Sequence, residues 1–247
     1  MNSKRIALVT GANKGLGLET VRQLSKNEVY VILTSRNKEN GKLAIAELEN
    51  EGIKVDFIKL DVTSSIDIQS AKTYVEEKYG RLDILINNAG ISKEKSASYM
   101  VNTSASVSIE TIREVYETNL FGAVNLTQTM LPLLMKSENG IIINLSSELG
   151  SIGLHSDSTS QVYHLKKYAY NSSKTALNQF TVHLSEALKD SNIKVYSVSP
   201  GWVKTDMGSQ YAPLEVPDGT KIIVDVALTG EFPSGLFITH QMKTVPW

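Results

Sequence analysis

A tyrosine and a lysine four residues apart, Tyr170 and Lys174, are the side chains of this sequence best suited to acid–base chemistry. On a helix, residues i and i+4 share a face, so the phenol and the ammonium can approach one ligand. A free phenol has a pKa near ~10, and a nearby ammonium favours the phenolate and lowers that pKa. The pair is therefore predicted to give a proton to a carbonyl oxygen as hydride arrives at the carbonyl carbon.

The same Tyr-x-x-x-Lys spacing occurs at two other places, so position must distinguish the pairs. Tyr74 and Lys78 fall on the helix predicted after the third strand, where surface positions are expected. Tyr163 and Lys167 fall in an irregular polar stretch. Only Tyr170 and Lys174 begin a helix that follows a strand ending in polar hydroxyls.

Those hydroxyls belong to Ser146 and Ser147, directly after the apolar run Ile141–Leu145. A serine hydroxyl at the carboxyl edge of a strand can donate to a substrate oxygen and help to hold developing charge. A serine that satisfies local backbone groups is the alternative, and the serines alone leave it open.

Three glycines, Gly11, Gly15 and Gly17, follow a short apolar strand, Ile6–Val9, and a helical pattern begins at once. Glycines there let the backbone approach a pyrophosphate, and the helix N-terminus directs free N–H groups at its charge. The spacing differs from the usual dinucleotide fingerprint, so a structural turn without a ligand is the alternative. The residues predicted to bind the cofactor in this turn are Gly11, Asn13, Lys14, Gly15, Leu16 and Gly17.

The residues that follow the second strand bear on the choice of dinucleotide. An acidic residue there favours NAD through the ribose 2′-hydroxyl, and a basic residue accommodates the 2′-phosphate of NADP. Thr34, Ser35 and Arg36 include no acid, and the planar guanidinium of Arg36 suits a phosphate. Lys14 can add a second positive charge, or can be a solvated surface residue. The sequence favours NADP.

Apolar strands alternate with helical patterns along the whole chain. The strands are continuous apolar runs, as expected when both faces of a sheet are covered. The pattern predicts a single α/β domain over residues 1–247, a doubly wound, seven-stranded parallel sheet with helices on both faces (a Rossmann fold), and ligands at the carboxyl ends of the strands. It also predicts one long helix over Ile109–Met135, bent or interrupted by Pro132, and a polar loop over Glu148–Lys167.

Composition excludes several other kinds of chemistry. The 247 residues carry a net charge of −1, which gives no electrostatic case for nucleic acid or acidic membranes. There is no cysteine, and the four histidines lack metal-ligand spacing, so no metal is expected. No apolar run reaches the ~18 residues that a membrane span needs, and a cytoplasmic protein acting on a small molecule is expected.

Together, these residues resemble the short-chain dehydrogenase/reductase family over essentially the whole chain. The motifs that carry the resemblance are Thr10–Gly17, Asp61-Val62, Asn87–Gly90, Asn119, Asn144–Ser147, Tyr170-x-x-x-Lys174 and Pro200-Gly201. Leu33–Arg36, Pro200–Met207 and the terminal Trp247 are similar to the NADPH-dependent carbonyl reductase branch of that family.

The resemblance implies four catalytic residues. Tyr170 is implied to be the acid–base residue, and Lys174 to lower its pKa and hold the nicotinamide ribose. Ser147 is implied to orient the substrate carbonyl, and Asn119 to support a water-mediated proton relay toward Lys174. The implied activity is reversible reduction of a ketone, aldehyde or quinone with hydride from NADPH. An alcohol dehydrogenase running toward oxidation and a non-catalytic NADP-sensing protein are the alternatives.

The resemblance also implies contacts along the cofactor. Asp61 and Val62 are implied to contact adenine, and Asn88, Ala89 and Gly90 to flank the adenosine and ribose portion. The nicotinamide end is implied to be held by residues that follow the sixth strand: Pro200, Gly201, Val203 and Thr205, besides Tyr170 and Lys174. Trp202 is implied to line the substrate pocket, with a role in packing its own loop as the alternative.

One segment departs from the family pattern. The connection from Ser147 to Tyr170 is longer than in ordinary members and shorter than in animal carbonyl reductases. Many members pair through the long helix and the helix that carries the tyrosine, and the longer insertion of the carbonyl reductases covers that face. Because the connection here includes Lys166 and Lys167, which are costly to bury unpaired, a monomer is expected. The predicted walls of the substrate pocket are Ile91–Ser108, Leu149–Lys167 and Trp202–Pro217.

Overall fold

The computed structural model describes residues 4–94 and 104–247, and a parallel sheet of seven strands forms its centre. The strands run in the order β3-β2-β1-β4-β5-β6-β7, which confirms the predicted doubly wound architecture. Their bounds are β1 Ile6–Val9, β2 Tyr30–Ser35, β3 Asp56–Lys59, β4 Ile84–Asn87, β5 Gly140–Leu145, β6 Ile193–Ser199 and β7 Leu236–Thr239.

Helices connect the strands and cover the sheet. Their bounds are α1 Gly15–Lys26, α2 Lys38–Asn50, α3 Ser65–Tyr79, α4 Ile109–Tyr116, α5 Gly122–Leu134, α6 Ile152–Ser156, α7 Tyr168–Ala187 and α8 Val216–Thr229. A π-helical segment, Glu117–Phe121, joins α4 to α5, and a short 3-10 helix, Glu148–Gly150, precedes α6.

Successive residues of each central strand enter two separate hydrophobic cores. In β1, Ala7 and Val9 face the core beneath α1, α2 and α8, whereas Ile6 and Leu8 face the core beneath α3, α5 and α7. Alternate residues of a strand point to opposite faces, so a sheet covered on both faces requires an apolar residue at every position. This requirement explains the continuous apolar runs in the sequence.

The predicted long helix over Ile109–Met135 is interrupted, but the predicted cause was wrong. Pro132 lies in the last turn of α5, and the irregularity is the wider π-helical segment over Glu117–Phe121. Such segments occur often at functional sites because they reorient one side chain within a helix. Here the segment contains Asn119, which is 1% exposed.

The polar connection over residues 148–167 is more ordered than the predicted loop. It contains the 3-10 helix and α6, and Ser151 Oγ donates to the carbonyl of Pro246 at 2.5 Å. The Gly153 N–H donates to the carbonyl of Trp247 at 2.9 Å, so α6 is attached to the C-terminal segment. The predicted pocket wall over Ile91–Ser108 lies in part outside the described residues. Among the residues the structure describes, no helix is long and apolar enough to span a membrane.

Candidate active site

Tyr170, Lys174 and Ser147 meet at the carboxyl end of β5, as the sequence analysis expected. Tyr170 lies in the first turn of α7 and Lys174 one turn later, with its Nζ 5.8 Å from the centre of the Tyr170 ring. Ser147 is the second residue after β5, and its hydroxyl hydrogen-bonds the Tyr170 phenol. A phenol, a hydroxyl and an ammonium therefore share one site.

The electrostatics of the pair differ from the expectation. Burial raises the pKa of Tyr170 to about 12, and the hydrogen bond with Ser147 offsets only part of this effect. Burial also lowers the pKa of Lys174 to about 8, since the residue is only 4% exposed. The predicted lowering of the Tyr170 pKa by Lys174 is thus not seen in the protein alone, where desolvation of the phenol dominates.

The side chain of Asn119 connects two elements around this site. Its Oδ1 accepts from the Ile91 N–H at 2.8 Å, and its Nδ2 donates to the Ile91 carbonyl and to Ser173 Oγ, both at 3.0 Å. A Cβ on Gly90 would lie 3.4 Å from Asn119 Oδ1 and 3.5 Å from Lys174 Nζ. The glycine therefore lies beside both the amide and the ammonium, and a side chain there would contact both.

The glycine-rich turn between β1 and α1 is tightly packed. Gly11 and Gly15 have φ angles of +60° and +55°, which favour glycine. A Cβ on Gly17 would lie 2.5 Å from Asn88 Nδ2 and 2.6 Å from the Gly11 carbonyl oxygen. A larger residue at Gly17 would separate α1 from the end of β4, and with it the N–H groups of the helix from the turn.

Asn88 supports this turn from the neighbouring strand. Its Nδ2 donates to the carbonyls of Thr10 at 2.7 Å and Gly11 at 3.1 Å. The hydroxyl of Thr10 accepts from the N–H groups of Asn88 and Ala89, each at 2.9 Å. The predicted cofactor residue Asn88 therefore has a structural task, and Thr10 is a partner that glycine spacing did not single out.

The two predicted phosphate-binding cations have different surroundings. Lys14 Nζ lies 2.5 Å from Asp206 Oδ2 in an exposed ion pair. Arg36 is exposed just beyond β2 and has no hydrogen bond or ion pair with any residue that the structure describes. Ser35 is buried, and its hydroxyl donates to the Asn37 carbonyl at 2.9 Å. Arg36 is thus available to a phosphate without displacing a protein partner.

The remaining predicted adenine contacts lie at the end of β3. Asp61 Oδ1 accepts from the N–H of Thr63 at 3.0 Å and from its hydroxyl at 2.8 Å. Val62 is buried and packs on α5, where a Cβ on Gly122 would lie 2.8 Å from its Cγ2. Asp61 therefore shapes the turn that follows β3.

The segment after β6 lies against α8 and the glycine-rich turn. Pro200 and Val203 are buried, and a Cβ on Gly219 would lie 2.3 Å from Val203 Cγ2, so this valine packs on α8. Thr205 approaches the glycine-rich turn, with its Cγ2 3.6 Å from the position of a Cβ on Gly15. Trp202 is 55% exposed, and its Nε1 donates to the carbonyl of Gly208. The tryptophan thus has a packing role within its own loop, and its contact with substrate stays a prediction.

The other two tyrosine–lysine pairs lie away from this site. Lys78 Nζ lies 3.1 Å from Tyr74 Oη and 2.6 Å from Asp56 Oδ2, in a surface cluster beside β3. Lys167 is the N-cap residue of α7, and the ring of Tyr163 packs edge-on against His164. Within the described ranges, no group of three or more histidines and acidic residues is arranged to hold a metal ion.

Glu94 falls within the predicted pocket wall Ile91–Ser108, but its contact with the helix that carries Tyr170 was not predicted from the sequence. It is buried, and its two carboxylate oxygens accept from the N–H groups of Ala169 and Tyr170, each at 2.9 Å. A sequence signal for it exists, because Lys167 is a poor helix cap and no acid occupies the first turn of α7. No local pattern, however, connects Glu94 with a helix so far along the chain.

The doubly wound sheet brings Tyr170 and Lys174 to the edge where sheets of this class bind ligands. The family described as short chain dehydrogenase matches residues 5–215. The chain belongs to the short-chain dehydrogenase/reductase family, which confirms the resemblance drawn from its motifs.

Two curated relatives and one solved structure illustrate its similarities. The chain is 35% identical to the short-chain dehydrogenase anuI of Penicillium roqueforti over 95% of this chain and 92% of that protein. It is 32% identical to a (+)-neomenthol dehydrogenase of Capsicum annuum over 98% of both chains. The NADPH-bound carbonyl reductase from chicken fatty liver superposes with a TM-score of 0.85 at 29% identity, covering 99% of each chain.

Proposed function

We propose that this chain is an NADPH-dependent carbonyl reductase that delivers hydride to a ketone, aldehyde or quinone, with Tyr170 as proton donor. The observation that carries the proposal is the meeting of Tyr170, Ser147 and Lys174 at the carboxyl end of β5. This is the edge of a doubly wound sheet where ligands bind.

The structure offers a cradle that fits a dinucleotide. A Cβ on Gly11 would lie 3.0 Å from Ala89 Cα, so the backbones approach closely beside the N-terminus of α1, whose first N–H groups favour a pyrophosphate. The unpaired, exposed Arg36 supports binding of the 2′-phosphate, and no acid stands beside it at Ser35 or Asn37. Asp61, Val62, Ala89 and Gly90 would border the adenosine, and Pro200, Gly201, Val203 and Thr205 the nicotinamide end.

When bound, NADPH supplies the hydride. The Ser147 hydroxyl donates to the carbonyl oxygen of the substrate and holds the charge that develops on it. The Tyr170 phenol gives its proton to that oxygen, and its high pKa keeps the proton available at neutral pH. Lys174, 5.8 Å from the ring centre, then stabilises the phenolate that remains. Asn119 and Lys174 both border Gly90, and this placement supports a water-mediated return of a proton through Lys174.

The same residues can run the reaction toward oxidation, with the Tyr170 phenolate taking the proton of an alcohol. The name of the (+)-neomenthol dehydrogenase from Capsicum annuum favours this alternative. The net direction depends on the substrate and on the cofactor ratio, because the protein groups are the same in both directions.

A panel of ketones, aldehydes and quinones tests the proposal, with loss of NADPH absorbance as the signal and NADH measured in parallel. The matching alcohols are tested with NADP in the same plate. Turnover of at least one carbonyl with NADPH, lost in Tyr170→Phe, supports the proposal. Turnover confined to alcohols favours the dehydrogenase, and a bound dinucleotide without turnover of any compound contradicts both.

A further inference from the structure

The carboxylate of Glu94 is bound to the first turn of the helix that carries the candidate proton donor. Its Oε1 accepts from the Ala169 N–H and its Oε2 from the Tyr170 N–H, each at 2.9 Å. The side chain is 4% exposed, so both bonds are shielded from water. A buried carboxylate with both oxygens on adjacent N–H groups holds its partner more firmly than a surface contact does.

Helix α7 lacks a cap of its own. The N-cap residue, Lys167, makes no side-chain hydrogen bond to the helix, and the first turn contains no acidic residue. The first N–H groups of a helix have no partner within the helix, and a negative charge near them is favourable. Glu94 therefore supplies, from a distant segment, the helix cap that the residues around Lys167 do not provide.

The segment that contains Glu94 is attached to α7 at a second point. The Ile91 N–H and carbonyl both bind the side chain of Asn119, which also donates to Ser173 Oγ at 3.0 Å. Ser173 Oγ in turn donates to the Tyr170 carbonyl at 2.7 Å. The main-chain N–H and carbonyl of Tyr170 are thus both tied, through Glu94 and Asn119, to the stretch that follows β4.

We propose that Glu94 is a positioning residue for carbonyl reduction, which fixes the main chain of Tyr170 so that the phenol stays aligned with Ser147. The inference rests on the proposed function. Displacement of a reacting group by about 1 Å can reduce turnover about 100-fold, so a loosened first turn of α7 affects chemistry before it affects cofactor binding.

Three variants separate positioning from general stability. Glu94→Ala removes both acceptors, and Glu94→Gln keeps one acceptor but turns an amide N–H toward the other backbone N–H. The matched control is Ser64→Ala, because Ser64 Oγ accepts from the Asp67 N–H at 3.2 Å and caps α3, a helix that packs on α5. Each variant is measured for kcat and KM with NADPH and the best carbonyl of the panel, for the Kd of NADPH, and for Tm.

We expect kcat to fall about 10- to 100-fold in Glu94→Ala and at least about fivefold in Glu94→Gln, with the Kd of NADPH within about threefold of wild type. Ser64→Ala should lower Tm while kcat stays within about twofold. If Glu94→Ala does not fold, Glu94→Gln decides, and a kcat within twofold of wild type overturns the inference. An equal loss of kcat in Ser64→Ala also overturns it, since stability alone would then explain the effect.

Hydrogen exchange gives a readout that does not depend on turnover. Peptides that cover the first turn of α7 should exchange faster in Glu94→Gln than in wild type, while peptides from α3 should not change. A wild type that reduces no carbonyl defeats the proposed function and with it a catalytic role for Glu94, whether or not exchange changes. An active wild type with unchanged exchange in α7 defeats the inference about Glu94 alone.

Discussion

The ammonium of Lys174 donates a hydrogen bond to the backbone carbonyl of Leu145, the last residue of β5, over 2.7 Å. This bond joins α7 to the strand that precedes Ser147, and it directs the charge of Lys174 at the strand end. Burial of the ammonium at this place lowers its pKa to about 8, whereas burial raises the pKa of Tyr170 to about 12. The two groups therefore lose their protons in the reverse of the order in which a free lysine and tyrosine do.

This order predicts the pH dependence of carbonyl reduction. As pH rises through about 8, Lys174 loses its proton and its positive charge, while Tyr170 keeps its proton until about 12. We expect kcat/KM for the carbonyl to decline above about pH 8, because the phenolate left after proton transfer then lacks a cation to stabilise it. Kinetics measured from about pH 6 to about pH 10 test this. A constant kcat/KM over that range would show that Lys174 stays charged.

Removal of the phenolic hydroxyl tests the proton donor directly. Tyr170→Phe should reduce turnover by at least ~100-fold, on the scale of general acid catalysis, while the Kd of NADPH changes little because the ring remains. Tyr163→Phe is the matched control, since Tyr163 has the same spacing to a lysine but lies before α7. Near-normal turnover in Tyr170→Phe with a loss in Tyr163→Phe would show that Tyr163, and not Tyr170, is the proton donor.

Most of the fold could be predicted because burial constrains every residue of the central strands. The run Ile6–Val9 supplies apolar side chains to both cores, so its composition alone indicates a strand covered on two faces. The π-helical segment at Asn119 could not be predicted. Its Asn119 side chain is bonded to Ile91 and Ser173, which are distant in sequence, and the segment itself contains no glycine or proline.

The site could be located from the sequence, but its electrostatics could not. The i, i+4 spacing of Tyr170 and Lys174 correctly predicts that they approach each other. The spacing does not indicate how far the two side chains are buried from water. Their desolvation determines the direction of both pKa shifts. The double contact of Glu94 with α7 depends in the same way on tertiary packing, because its partners lie far along the chain.

The unpaired guanidinium of Arg36 predicts the choice of cofactor. A charge-assisted contact of this kind contributes roughly 1.5–3 kcal/mol, so Arg36→Ala should reduce the preference for NADPH over NADH by ~10- to 100-fold. The loss should appear in kcat/KM for NADPH and leave NADH nearly unchanged. Lys54→Ala, which removes an exposed cation elsewhere on the surface, should alter neither. Equal kcat/KM of the wild type with both cofactors would contradict the assignment.

The exposed ion pair of Lys14 and Asp206 predicts a second effect on cofactor affinity. If Lys14 binds a phosphate of NADPH, its ion pair with Asp206, now 2.5 Å long, must break. Asp206→Asn should then tighten NADPH binding, by at most about fivefold because exposed ion pairs are weak, and Lys14→Ala should weaken it. Fluorescence titrations at low and high salt measure both, and the difference should shrink at high salt. Weaker NADPH binding in Asp206→Asn would indicate that Asp206 itself contributes to cofactor binding.

The last prediction is a monomer in dilute solution. The connection from Ser147 to Tyr170 is bonded to Pro246 and Trp247 through Ser151 and Gly153. It is also bonded to α7, because Asn171 Nδ2 donates to the Leu165 carbonyl at 2.8 Å. The prediction therefore depends on the surfaces of the π-helical segment and α7 that stay exposed. Phe121 and Val182 are 52% and 37% exposed, but charged or polar residues surround them in sequence, among them Glu117, His183 and Glu186, which are also exposed. Burying those groups at a dimer contact costs desolvation unless they are paired. Light scattering coupled to size exclusion should therefore give a mass near 27.1 kDa at micromolar protein, and a mass near twice that value would show that the helices pair despite their polar residues.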